Sequence, residues 1–170
     1  MSLFLLLALI LDALAIPAQT LVAESVGAGE RPAARELTRR TERLSLVAGL
    51  ALALGLVATS GLLPHLFTSD IAVVDNAREA VVILGIMLVP GAIAFAGDGV
   101  RIGLGDYRFI GRLSFVTLLV VSPLYPVLAR AGAGLGTLWL SLTGWMVLRA
   151  VSVNLRHRHL LDSRPVPQTP

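Results

Sequence analysis

The 170 residues contain no cysteine, which excludes a disulfide framework and any thiolate metal site. Lysine is also missing, so all fourteen basic residues are arginines. Charge is scarce at 15%, against 55% hydrophobic residues and a mean hydropathy of +0.80. Soluble domains carry about 25% charged residues, so a water-soluble globular fold is excluded. No basic residue precedes Arg31, and Asp12 interrupts the first apolar stretch. A secretory signal opens on a positive segment, so a retained helix is expected instead. No Ser/His/Asp set or carboxylate pair stands at a catalytic spacing, and no residue set asks for a cofactor. An enzyme is not expected.

What remains is apolar sequence. Uncharged runs cover residues 44–63, 80–97, 113–129 and 131–148. A fifth, 3–23, is broken only by Asp12. A bilayer crossing takes about 20 mostly apolar residues, with ~17 as the short limit. The expectation is an all-α integral membrane protein with five transmembrane helices. The isoelectric point near 10.5 does not imply nucleic acid, because the arginines flank apolar spans, as membrane topology requires.

The connections carry local signals. Gly27-Ala28-Gly29 is a helix stop, and Pro32 suits the first turn of the next helix. Glu36 and Arg40 stand i,i+4 in the favourable order. Ser69 or Asp70 is placed to cap the third helix. Pro90-Gly91 predicts a kink inside that helix. The two prolines of Ser122-Pro123-Leu124-Tyr125-Pro126 are expected to bend or end the fourth. Gly132 and Gly136 predict a small-residue face opening the fifth. Trp139 suits either the outer interface or the core. The glycine-rich stretch 97–108 has no strand–helix context, so it is not read as a phosphate loop.

Twelve of the fourteen arginines fall after the first and third helices and in the tail; only Arg78 and Arg130 lie in the other two connections. The positive-inside rule then puts the C-terminus in the cytoplasm. Five spans place the N-terminus outside, as expected if an odd number of helices precedes Met1.

Three stretches carry a resemblance. LDALAIPAQTLVAESVGAGERPAARELTRR resembles the second helix of the C-terminal lobe in multidrug and toxic-compound extrusion (MATE) transporters, nearest their DinF-like branch. LPHLFTSDIAVVDNA resembles the outer connection that follows. AFAGDGVRIGLGDYRFIG resembles the branch's Asp-Gly…Gly-x-Gly-Asp signature. The resemblance implies the family's helices eight to twelve, most of one lobe, over residues 1–155; the tail at 156–170 is expected to be cytoplasmic from the arginine count and disordered from its prolines. It implies a place in the inner (plasma) membrane and export of organic cations or drugs against a proton or sodium gradient. It also implies a missing N-terminal half, without which this chain would not transport. The alternative is a five-helix membrane subunit that assembles with a partner and moves nothing.

Four residues are candidates for an ion or substrate cavity. Asp12, the deepest acid of the first span, either faces the cavity and binds cations or protons, or is paired within the bundle. Gln19 lies i,i+7 from it and would contact substrate or join helices. Asp98 and Arg101, at i,i+3, would pair as a gate or as a local salt bridge. Asp106 is expected to cap or to pair with Arg108 or Arg112. His157 and His159 alternate with Arg156 and Arg158, and the adjacent positive charge opposes a metal.

Overall fold

The computed structural model describes residues 2–163 except 133, with side chains over 3–155 except 129, 133 and 135. The side-chain readings for Arg156, His157, Arg158 and His159 lie outside the described residues, as does the part beyond Ser163 of the tail expected at 156–170; up to Ser163 that tail is helical. The elements are α1 (Ser2–Gly27), α2 (Arg31–Thr59), a 3-10 turn (Leu63–Leu66), α3 (Ile71–Gly103), α4 (Tyr107–Arg130) and α5 (Leu135–Ser163). All five α-helices are long and apolar enough to cross a membrane.

Two helices end in the same way. Glu30 N–H donates to the Ser25 carbonyl at 2.8 Å, and Asp106 N–H to the Arg101 carbonyl at 3.0 Å. Each bond spans a glycine in the left-handed region, Gly29 at φ 76° and Gly105 at φ 74°. This is the six-to-one closure that satisfies the last carbonyls of a helix, and glycine adopts its backbone without steric cost. Helix starts are equally local. Pro32 lies in the first turn of α2. Asp70 caps α3, its Oδ1 accepting from Ala72 N–H at 2.9 Å. The Glu36–Arg40 ion pair forms at 2.7 Å on an exposed surface.

Helix α3 is the axis of the bundle. Of its most apolar window 61% is buried, against 6% for α4. Helix α1 meets it through the stripe Leu7, Leu11, Ala15, Ala18 and Val22, a spacing of three and four that keeps one face. Helix α2 offers Ser45, Gly49, Ala53 and Leu56. Between helices in lipid there is little hydrophobic force, so close packing of small residues does the work. A Cβ on Gly99 would stand 2.5 Å from the Ala15 carbonyl oxygen, and one on Gly103 would stand 2.6 Å from that of Gln19. The same test at Gly97 meets Val153 of α5, and at Gly49 meets Ala92. These pairings also give direction. Ala15 and Gln19 rise with Gly99 and Gly103, so α1 and α3 run the same way. Gly136 by Glu79 and Val153 by Gly97 make α5 parallel to α3 as well.

Some expectations change. Of the two outcomes expected at the α4 prolines, bending or ending, the helix does not end but runs on to Arg130. Pro123 and Pro126 each lack an N–H, yet the helix continues through both. Gly132 is not on a packing face: it has φ 73° with nothing within 4 Å of its would-be Cβ, and so belongs to the turn before α5. Only Gly136 sits at a close approach, against Glu79. Helix α2 stops at Thr59, and the 3-10 turn takes over the end of the 44–63 run. Helix α3 is unbroken through Pro90-Gly91.

Candidate functional site

The glycine-rich end of α3 brings charge from three helices together. Gly97 lets α5 close on α3 at Val153. Arg149 lies one turn before Val153 on the same face and so meets Asp98. Its Nε donates to Asp98 Oδ2 at 2.8 Å, and its Nη2 stands 2.7 Å from the same oxygen in an ion pair. Its Nη1 reaches Ser114 Oγ of α4 at 3.4 Å.

Arg101 is 0% exposed, the largest fully buried side chain described. Its Nη1 donates to Asp106 Oδ2 at 3.1 Å, and its Nη2 donates to the Val153 carbonyl. Its guanidinium lies 4.3 Å from the Phe109 ring centroid. A buried guanidinium persists only with its charge balanced. A carboxylate, a carbonyl and an aromatic face supply that balance.

The expected Asp98–Arg101 pair is therefore replaced by two others. Asp98 forms its ion pair with α5, and Arg101 forms its pair with Asp106. The reversal at Gly105 folds Asp106 back toward residue 101, and Asp106 also stands at the cap position of α4, its carbonyl accepting from Phe109 N–H at 3.2 Å and Ile110 N–H at 3.4 Å. A spacing of three along one helix permits a contact, but a partner on a neighbouring helix offered better geometry.

Two cavities adjoin this cluster. The larger, about 510 Å³, lies between α4 and α5 and is lined by Ser114, Ser122, Tyr125, Trp145 and Arg149 among apolar side chains. The smaller, about 220 Å³, is lined by Phe95, Asp98, Trp145 and Arg149. Trp145 and Arg149 belong to both. Asp98 Oδ1, Tyr125 Oη and Trp145 Nε1 are buried and have no hydrogen-bond partner among the described residues. Polar atoms in that condition are costly, and these three belong to residues that line the two cavities.

Of the four candidates, Asp98 alone lines one of these cavities. Arg101 is sealed beneath it. Asp12 is half-buried on α1, near enough to Asp98 for its charge to be felt. Gln19 is half-buried where α1 crosses Gly103. Sequence alone gives Arg149, Tyr125, Ser114 and Trp145 no place among the cavity candidates. A signal did exist for Arg149: the 80–97 and 131–148 runs each end one residue before an opposite charge, Asp98 and Arg149. On spans running the same way, those charges fall at one depth. Among the described residues no group of three His, Cys, Asp or Glu gathers as a metal site.

Comparison with known proteins gives three relatives and one family. A family model described as MatE matches residues 1–128. Protein DETOXIFICATION 44, chloroplastic, of Arabidopsis thaliana is 32% identical over 152 residues, 89% of this chain and 29% of that protein. Protein DETOXIFICATION 45, chloroplastic, of the same plant is 30% identical over 152 residues, 89% of this chain and 27% of that protein. Protein DETOXIFICATION 42 is 30% identical over 147 residues, covering 84% and 27%. The chain thus spans less than a third of the length of these relatives. No solved structure matches it.

Proposed function

This chain belongs to the MatE family, and on that premise we propose that it forms part of a secondary active exporter of the multidrug and toxic-compound extrusion type. The cargo is an organic cation or drug, driven out by proton or sodium antiport. The rest of the transporter comes from helices outside these 170 residues, and the chain alone is inactive. The proposed setting is the inner (plasma) membrane, with the C-terminus in the cytoplasm. The observation that carries the reading is the family match over residues 1–128, a segment that includes Asp12, Gln19, Asp98 and Arg101. The Asp98 cavity supports it: an acid beside aromatic walls in a membrane bundle suits a cation, and intramembrane acids mark ion paths.

The test reconstitutes the purified chain into liposomes, alone and together with a polypeptide supplying the remaining helices. Ethidium efflux is followed under an imposed proton or sodium gradient. Efflux is expected only from the combined preparation. Efflux by neither defeats the transporter reading and leaves the non-transporting subunit. Efflux by the chain alone defeats its dependence on the missing half.

A further inference from the structure

Asp98 uses only one of its two oxygens. Oδ2 takes both contacts from Arg149, a hydrogen bond from Nε at 2.8 Å and the ion pair with Nη2 at 2.7 Å, while Oδ1 is buried without a hydrogen-bond partner among the described residues. An ionised carboxylate offers about four lone-pair sites, and an idle buried oxygen is expensive. The cavity this residue lines, about 220 Å³, has Phe95 and Trp145 in its wall. A carboxylate beside two aromatic rings is the chemistry that receives a monovalent cation, with the ring faces sharing the charge.

That cation would find the site already taken. Arg149 lines the same cavity and neutralises the same acid. The guanidinium also has somewhere else to go. Its Nη1 is 3.4 Å from Ser114 Oγ on α4, and it borders the 510 Å³ cavity on that side. Helix α4 is the least buried of the five, so the α4 side of the groove is the open one.

We propose that Arg149 is a tethered occupant of the cation site: its guanidinium holds Asp98, and a mobile monovalent cation enters by displacing it toward Ser114. The purpose assigned to the exchange rests on the transporter reading, but the competition for Asp98 does not. A tethered competitor lowers apparent affinity by the fraction of time the site is free. It also keeps the acid neutralised when the cation leaves, so an unpaired carboxylate never faces low-dielectric surroundings. Asp12 and Arg101 lie within electrostatic reach of Asp98 with opposite signs, so neither alone sets the charge that the cation meets.

The chain has two tryptophans, and Trp145 lines both cavities. In a Trp139→Phe background its fluorescence reports the site directly. The purified 170-residue chain in detergent is titrated with tetramethylammonium and, separately, with sodium at constant ionic strength and pH. The two arms distinguish an organic from an inorganic cation. Arg149→Gln is expected to tighten the apparent Kd at least about tenfold for one of the two. Arg149→Lys, still a tethered cation, stays near the parent. Arg149→Gln combined with Asp98→Asn binds neither. A purely structural Arg149 would give the opposite sign, so parental or weaker binding by a helical, monodisperse Arg149→Gln overturns the proposal. Should that variant not fold, Ser114→Ala decides, since Ser114 is exposed. Losing that alternative partner is expected to weaken binding about threefold, one modest hydrogen bond. Unchanged affinity there overturns the displacement. Tighter binding by Arg149→Gln without efflux from the combined transporter keeps this inference and defeats the transport reading. Efflux with no tightening does the reverse.

Discussion

Replacing Gly99 with alanine tests how the bundle is held together. The new Cβ would stand 2.5 Å from the Ala15 carbonyl oxygen, 3.1 Å from its carbon and 3.2 Å from its Cα. Ordinary contact begins at 3.4 Å, so α1 must retreat by about 0.9 Å, a gap in the range where each neighbouring contact forfeits a quarter to a half of its dispersion energy. The obstacle is helix backbone, which has no rotamer to escape into. The nearby crossing at Gly103 opens with it. Overpacking costs about 1–3 kcal/mol, and a rigid obstacle argues for the upper part of that range. Alanine returns about 1 kcal/mol of helix propensity. The net expectation is a loss of about 1–2 kcal/mol. Gly111 is the control: it is exposed, helical and has nothing within 4 Å, so Gly111→Ala should be neutral or stabilising. Rescue sharpens the test. At Gly97 the obstacle is the Val153 side chain, so Val153→Ala should restore Gly97→Ala. At Gly99 the obstacle is a carbonyl that Ala15→Gly leaves in place, so no rescue follows. Reversible unfolding in mixed micelles, followed by circular dichroism, measures all of these. Gly99→Ala as stable as Gly111→Ala would refute the close-crossing argument.

Three further outcomes are expected. Arg101→Met removes a fully buried guanidinium from its ion pair with half-buried Asp106 and should cost up to about 3–5 kcal/mol in the same unfolding assay, with part recovered by adding Asp106→Asn; a loss under about 1 kcal/mol would mean that the pair contributes no more than a solvated one. With no native cysteine to interfere, Ser69→Cys should react with an impermeant maleimide in intact cells and Ser163→Cys only after permeabilisation; early labelling at 163 would reverse the topology. In the combined transporter, Asp12→Asn should keep expression but weaken efflux per folded molecule, because asparagine keeps the shape without charge or an exchangeable proton; unchanged efflux at every pH would remove Asp12 from the ion path.

Residues that act on their own chain neighbours, or on the solvent, were legible from the sequence by itself. The five spans are visible because lipid tolerates only long uncharged runs with every backbone group satisfied internally. The Gly29 reversal, the proline opening α2 and the Asp70 cap are short-range chemistry, complete within a few residues. The first acid, Asp12, announces itself by interrupting an apolar run. The i,i+4 pair Glu36–Arg40 is of the same local kind, but tertiary structure decided which charges meet around Asp98 and Arg101. Asp98 and Arg101 looked like partners because they are three apart, but proximity along a helix is only one route to contact. Close approach of α5 at Gly97 brought Arg149 to Asp98, and the turn at Gly105 delivered Asp106 to Arg101. The tertiary fold also gave meaning to the glycines. Their density between 97 and 105 shows in the sequence, but the groups they make room for at Gly99 and Gly103 are the carbonyls of Ala15 and Gln19. A backbone carbonyl is the same at every position, so no residue letter can say which one lies against a helix until the helices have packed.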